Sequence, residues 1–277
     1  MKNKILIALA VILLLAGLGV LLYPTFKTAA IREQERQEIA AFEEYRATAT
    51  APAPAPTAES NPVAPTDEPS EIVSPTETET AERIFPELWE ACVAFNEQLP
   101  GTQRTTYSAD SLRRPSIKVS DYGWEQDAFG YITIPTAEIE APLYLGANSA
   151  NMNKGGAILG QTSMPIGGKS TNCVIAGHRT WSGAIQFKGL ENLQVGDEVR
   201  LTNPWETLTY YVIETKIVLP DTVEEIMVQE GRDLLTVFTC TSPNTRRYMV
   251  ICEREIEEGD SKSWNWILLP WVASPLR

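Results

Sequence analysis

The chain has 277 residues, 43% of them apolar, and a formal charge of -13. That is enough for one ordinary domain with added segments, and it argues against a nucleic-acid partner, because a phosphate-binding surface needs clustered Lys and Arg. Its four cysteines, Cys92, Cys173, Cys240 and Cys252, lie far apart with no C-x-x-C pair, which excludes the usual spacing of a zinc site or a dense disulfide framework.

Lys2 and Lys4 precede an unbroken apolar run, Ile5–Leu22. At ~1.5 Å per residue a helix of this length reaches roughly 27 Å, close to the hydrocarbon thickness of a bilayer. The run exceeds the about 7–15 apolar residues of a signal peptide, and Tyr23, Pro24, Thr25 and Phe26 follow it in place of a small-x-small cleavage site. Residues 1–26 therefore read as an uncleaved single-pass anchor in the cell membrane. With the lysines inside, everything after Leu22 lies outside the cytoplasm.

Residues 27–46 are rich in Glu, Arg, Gln and Ala, with Ile31, Ile39 and Phe42 as sparse apolar points, which predicts a solvated juxtamembrane helix. Residues 47–82 hold seven prolines and seven acids without a base. Such a segment has too little apolar surface to offset the entropy of ordering, so a disordered Pro/Thr/Glu-rich linker is expected, with the Ala-Pro repeat Ala51–Pro56 stiff and extended. It serves either as a spacer that lifts a domain through a cell-wall layer or as a passive connection.

In 83–128, Leu88, Trp89, Cys92, Val93 and Phe95 recur at near-helical spacing, so a helix over Arg83–Leu99 should pack on the domain that follows. From Phe129 the period turns to two. Short runs at Gly130–Ile134, Ile139–Tyr144, Ala157–Leu159, Asn172–Ala176, Glu198–Thr202, Leu208–Thr215, Leu234–Thr239 and Tyr248–Glu253 predict eight strands, and hence a mainly β barrel or sandwich over 129–256. Within it only Ile185–Leu193 and Val223–Glu230 read as helical. The tail 257–277 is rich in Trp, but its apolar stretch Trp264–Val272 has nine residues and contains Pro270, too short to span. Trp264, Trp266 and Trp271 rest at a membrane interface or pack on the barrel.

Three polar residues in this domain sit at strand ends. Cys240 closes the run Leu234–Thr239 and precedes Thr241, Ser242, Pro243 and Asn244, which must turn. His178 follows Val174-Ile175-Ala176-Gly177, and Arg246 and Arg247 open the next strand. A thiol with a pKa of about 8.5 is mostly protonated at neutral pH, so a nucleophilic cysteine needs a base or a nearby positive charge. Histidine supplies either and can return a proton to a leaving amine, while arginine holds a carbonyl or a developing oxyanion. Taken singly, each has a plainer explanation: a lone histidine at a strand end is more often a satisfied surface group, and a lone cysteine after an apolar strand is more often structural. Cys173 and Cys252, inside apolar strands, read as core residues.

Together the motifs resemble the sortase family. Its nucleophile motif, Thr-Leu-x-Thr-Cys, is matched by Thr236-Val237-Phe238-Thr239-Cys240 with Val for Leu. The stretch Thr162–Gly168 and Asn172–Arg179 is similar to the family's histidine region, above all in class C, the pilin-polymerising group. Asn244-Thr245-Arg246-Arg247 resembles the class C Asn-x-His-Arg, and Glu253-Arg254 the close of that group. The resemblance implies an eight-stranded sortase-type barrel with catalytic His178, Cys240 and Arg247, and Thr239 in substrate binding. It implies cleavage of a Leu-Pro-x-Thr-Gly-like sorting signal at Thr-Gly and transfer to an amine. Surface or pilin proteins would be the substrates, a pilin lysine or a cell-wall precursor the acceptor, and no cofactor or metal is expected. The turn from Cys240 to Arg247 is shorter than in class C, and Arg246 replaces its histidine. Asp110-Ser111-Leu112, the segment nearest to the class C lid, lacks the proline and the aromatic residue. Rival readings are a hydrolytic cysteine protease, an L,D-transpeptidase (whose arginine would fall at Ser242), and an inert surface-anchored module.

Overall fold

The computed structural model describes residues 2–50, 83–106, 108–181 and 184–255. Most of the expected linker and the Trp-rich tail lie outside them. The first element, α1 (Lys2–Thr50), is one continuous helix. The expected anchor and juxtamembrane helix are thus a single rod, which also runs into the first residues assigned to the linker. Pro24 lies inside it and leaves one carbonyl without its usual N–H donor. The Ala and Thr of 47–50 extend the helix, with Thr48 Oγ1 donating to the Glu44 carbonyl at 2.8 Å. Apolar residues such as Ile5, Ile7, Leu14 and Val20 are exposed, as expected of a surface made for lipid, and this helix is long and apolar enough to cross a membrane.

Further along, α1 turns an apolar residue inward. Phe42 is buried against Trp124 and Tyr131, with ring centroids 5.8 and 5.9 Å away. Helix α2 (Pro86–Thr106) buries Leu88, Cys92, Asn96, Leu99 and Gln103, a spacing of three to four residues that marks one face. Two of its amides act as staples. Asn96 accepts from Met164 N at 2.7 Å and donates to the Met164 carbonyl at 3.3 Å. Gln103 donates to the carbonyls of Gln161 and Ile226 and accepts from Val228 N.

The strands are β1 (Gly130–Ile134), β2 (Ile139–Leu145), β3 (Gly156–Ile158), β4 (Thr171–Ala176), β5 (Thr180–Trp181), β6 (Ala184–Ile185), β7 (Glu198–Thr202), β8 (Thr207–Val218), β9 (Asp233–Cys240) and β10 (Arg247–Arg254). Eight of them close a barrel in the order β1-β2-β3-β4-β9-β10-β8-β7. The pairs β2–β3 and β4–β9 are parallel, and the others antiparallel. These are the eight expected strands, lengthened or shifted by a few residues at their ends. The hairpin β5–β6 and a short helix α3 (Ser149–Lys154) are additional. Where helices were expected at Ile185–Leu193 and Val223–Glu230, short 3-10 turns at Phe187–Asn192 and Glu224–Ile226 stand instead; each buries only one or two residues, too few to anchor a longer helix.

Alternation along the strands divides the side chains between two clusters. Cys173, Ile175, Leu235, Val237, Val250 and Cys252 fill the interior with residues of the other strands. Val174, Ala176, Phe238 and Met249 face outward and pack with Leu159, Ile226 and Leu112. One end of β9 is pinned by a buried network. Asp233, fully enclosed, accepts from Gly168 N, Thr171 Oγ1, Tyr210 Oη and Arg254 Nε.

Candidate active site

The other end of β9 carries Cys240. Along the parallel β4–β9 ladder, Val174 pairs with Thr236 and Ala176 with Phe238. Beyond the last pair, Gly177 N donates to the Phe238 carbonyl at 3.1 Å, and Thr239 Oγ1 donates to the Gly177 carbonyl at 2.8 Å. One more step along both chains brings His178 and Cys240 to the same level. On the opposite side Cys240 pairs with Arg247, the first residue of β10. Paired residues share a face of the sheet, so Cys240 and Arg247 lie on the outward face, above Phe238 and Met249. Three strands, β4, β9 and β10, thus deliver His178, Cys240 and Arg247 to one edge.

Each residue is held by local structure. The turn from Cys240 to Arg247 is closed by Thr241 N on the Arg246 carbonyl at 3.0 Å and Thr241 Oγ1 on the Pro243 carbonyl at 2.8 Å. Arg246 is exposed within that turn, whereas Arg247 is partly buried in the ladder. The His178 turn is bonded to the strand that returns from the β5–β6 hairpin. Phe187 N donates to the His178 carbonyl at 2.9 Å, and Gln186 N to that of Arg179 at 3.2 Å. Gly177 permits this, since a Cβ there would stand 2.2 Å from the Phe187 ring. Arg179 forms a two-pronged ion pair with Glu191 at 2.8 and 3.2 Å, which fixes the far side of the turn.

The thiols differ in environment. Cys240 is partly exposed, while Cys92, Cys173 and Cys252 are buried. Burial pushes Cys92 up to about 12 and holds Cys173 and Cys252 well above the ordinary thiol range, so those three remain inert. His178 is partly buried, and loss of solvation lowers its pKa below 6.5. Its Nε2 stands 3.3 Å from Asn153 Oδ1, a residue of α3. Sequence reasoning missed Asn153, because no motif or periodicity links that helix to the histidine.

Thr239 is 1% exposed, and its hydroxyl is spent on the Gly177 carbonyl, so it ties the histidine strand to the cysteine strand from inside the barrel. Asp110-Ser111-Leu112 runs along the rim. The Leu112 carbonyl accepts from Ala147 N at 3.0 Å and Gly160 N at 2.9 Å, and its side chain joins the outer apolar cluster. Beneath Cys240 and Arg247 lies the outer apolar cluster of Val174, Ala176, Phe238 and Met249. No group of metal-ligating side chains occurs among the described residues.

Residues 132–255 match the sequence pattern of the family described as Sortase domain. Sortase A of Streptococcus agalactiae is 33% identical over 161 residues, covering 55% of this chain and 64% of that protein. The chain thus spans just under two thirds of that relative's length. Among solved structures, a complex of S. agalactiae sortase C1 with MTSET superposes with a TM-score of 0.55 at 27% identity, over 64% of this chain and 92% of the other. A mutant of sortase C-1 from S. pneumoniae shares the fold with a TM-score of 0.60 at 24% identity, over 81% of this chain and all of that one.

Proposed function

We propose that this chain, whose residues 132–255 match the family described as Sortase domain, is a membrane-anchored cysteine transpeptidase in which Cys240 is the nucleophile, His178 the proton carrier and Arg247 the oxyanion partner. The observation that carries the reading is the register: Arg247 faces Cys240 across β9–β10, and His178 follows two residues beyond the last pair of the β4–β9 ladder.

Asn153 Oδ1, 3.3 Å from Nε2, orients the imidazole ring of His178. The lowered pKa of His178 leaves it mainly neutral near pH 7, ready to take the thiol proton. The Cys240 thiolate adds to the Thr carbonyl of a Leu-Pro-x-Thr-Gly-like signal, and the oxygen that gains charge is met by the Arg247 guanidinium. Collapse breaks the C–N bond, the glycine amine leaves with the proton held by His178, and a thioester remains on Cys240. An incoming amine gives up a proton to His178 and attacks the thioester, forming a new amide and restoring the thiol. Thr239 acts as a positioning residue, keeping the two strand ends in step. The sorting signals of surface or pilin proteins fit this chemistry, with a pilin lysine or a cell-wall amine as acceptor.

Support for a membrane location is the exposed apolar length of α1; the flanking lysines favour the orientation with the barrel outside. The test is incubation of the full-length chain, in detergent, with a sorting-signal peptide and a labelled amine. Labelled amide product that depends on Cys240 supports the proposal. Cleavage with water as the sole acceptor, at every amine tried, assigns a hydrolase instead.

A further inference from the structure

The seam between α1 and the barrel holds polar groups that the chemistry at Cys240 does not use. Glu35 of α1 is 7% exposed, and among the described residues no hydrogen bond or ion pair reaches its carboxyl. It lines a cavity of 280 Å³ whose other polar walls include Arg32, Arg36, Glu138, Glu140 and Gln186. Gln186 is 9% exposed, and both atoms of its side-chain amide are buried without a partner. An amide facing a carboxylic acid can be satisfied in both directions, since the acid O–H donates to the amide oxygen and the acid carbonyl accepts from the amide nitrogen. A carboxylate could use only the amide nitrogen and would leave the amide oxygen orphaned beside a charge.

We propose that α1 is held on the barrel by a protonation-controlled latch: Glu35 enters the seam as a neutral acid beside Gln186, and its ionisation releases α1 from β2.

The charges around Glu35 do not remove the cost of ionisation. On α1 itself stand Arg32, Arg36 and Glu38, and the Arg32 guanidinium is shared with Glu138 at 3.8 Å. From the barrel side, Glu138 and Glu140 oppose it. The buried Tyr144 hydroxyl, also without a partner, is held above its ordinary range by burial first and then by Glu38, Asp127 and Glu35. Gln186 and Phe187 bring no charge. Burial raises Glu35 from 4.5 to about 7, with Arg32 opposing. The sign follows from linkage: the docked state binds the proton more tightly, so docking is strongest below pH 4.5, weakens progressively up to about pH 7, and levels off above it.

The latch reaches the His178 turn through one residue. Gln186, which lines the same cavity as Glu35, also donates its backbone N–H to the Arg179 carbonyl. Protonation of Glu35 thus bears on how the barrel sits relative to the membrane rod, and on the support of the histidine strand. The inference stands apart from the transpeptidase reading and needs no substrate.

Its test is hydrogen exchange on the full-length chain in phospholipid nanodiscs, from pH 5 to pH 8, corrected for intrinsic exchange. Protection of amides in 31–45 and 139–145 should fall on the order of 100-fold over that range, and Glu35→Gln should keep it high throughout. Three results would overturn the proposal: protection in the wild type that does not change with pH, a Glu35→Gln variant that follows the wild-type curve, or a Glu35→Gln variant unprotected at every pH.

Discussion

At the scale of single residues, four thiols of one chemistry are separated by their surroundings. Cys92, Cys173 and Cys252 are packed among apolar side chains and kept protonated, while Cys240 alone of the four stands partly open at a strand end. Cys240→Ala should therefore abolish any covalent adduct with a sorting-signal peptide, whereas Cys252→Ala should leave adduct formation intact in protein that still folds; intact mass after acid quench reads both. Arg247→Lys keeps the charge but loses the planar fork, so kcat should fall about 10²–10³-fold, the loss typical of a removed oxyanion donor, with little change in KM. Arg246→Lys, in the exposed turn, should change neither. His178 titrates below 6.5 because burial disfavours its charged form. Since the neutral form takes the thiol proton, kcat/KM should fall on the acid side with an apparent pKa under 6.5; an acid limb above that value would contradict the assignment.

At the scale of elements, the site depends on the close approach of the Phe187 ring to Gly177. Gly177→Ala puts a methyl group into that ring, and overpacking of this kind costs about 1–3 kcal/mol, measurable as a lowered midpoint of denaturant unfolding. It should also displace His178, so activity per folded molecule falls with stability. This contact also marks how far the sequence could be read. Strands such as β1 and β8 were legible from alternating burial, and β4 and β9 as largely apolar runs ended by turn residues; Cys240 and His178 were legible because each closes or follows such a run. Arg247 could be placed opposite Cys240 because the connecting turn is short. By contrast, α3 buries no residue, so it leaves no apolar period, and β5–β6 offers two residues a strand, too few to alternate visibly. Asn153 and Phe187 meet the histidine segment only through the fold. The boundary drawn after Phe26 between anchor and juxtamembrane helix is no break in the fold, since α1 runs on through Pro24 and past it.

At the scale of the whole molecule, the barrel is fastened at the end remote from the nucleophile. Asp233 begins β9 and Cys240 ends it, so the acceptor of four buried hydrogen bonds and the reactive thiol sit at opposite ends of the same strand. Asp233→Ala leaves the Arg254 guanidinium and the Tyr210 hydroxyl without their partner. Loss of one member of a buried charged pair costs about 3–5 kcal/mol, and thermal unfolding should register it while the folded fraction still forms the Cys240 adduct. The same molecule carries a helix long and apolar enough to cross a membrane, and further along that helix Glu35 and Phe42 are buried against the barrel.

The central claim, that Cys240 carries an acyl group from a sorting signal to an amine, is tested most directly by mass spectrometry of the full-length chain mixed with a Leu-Pro-x-Thr-Gly peptide. The account predicts a thioester on Cys240 that accumulates when no amine is present and disappears into a new amide when one is added. A chain that cleaves or joins the peptide without an adduct on Cys240, or that forms none even when amine is withheld, would contradict it.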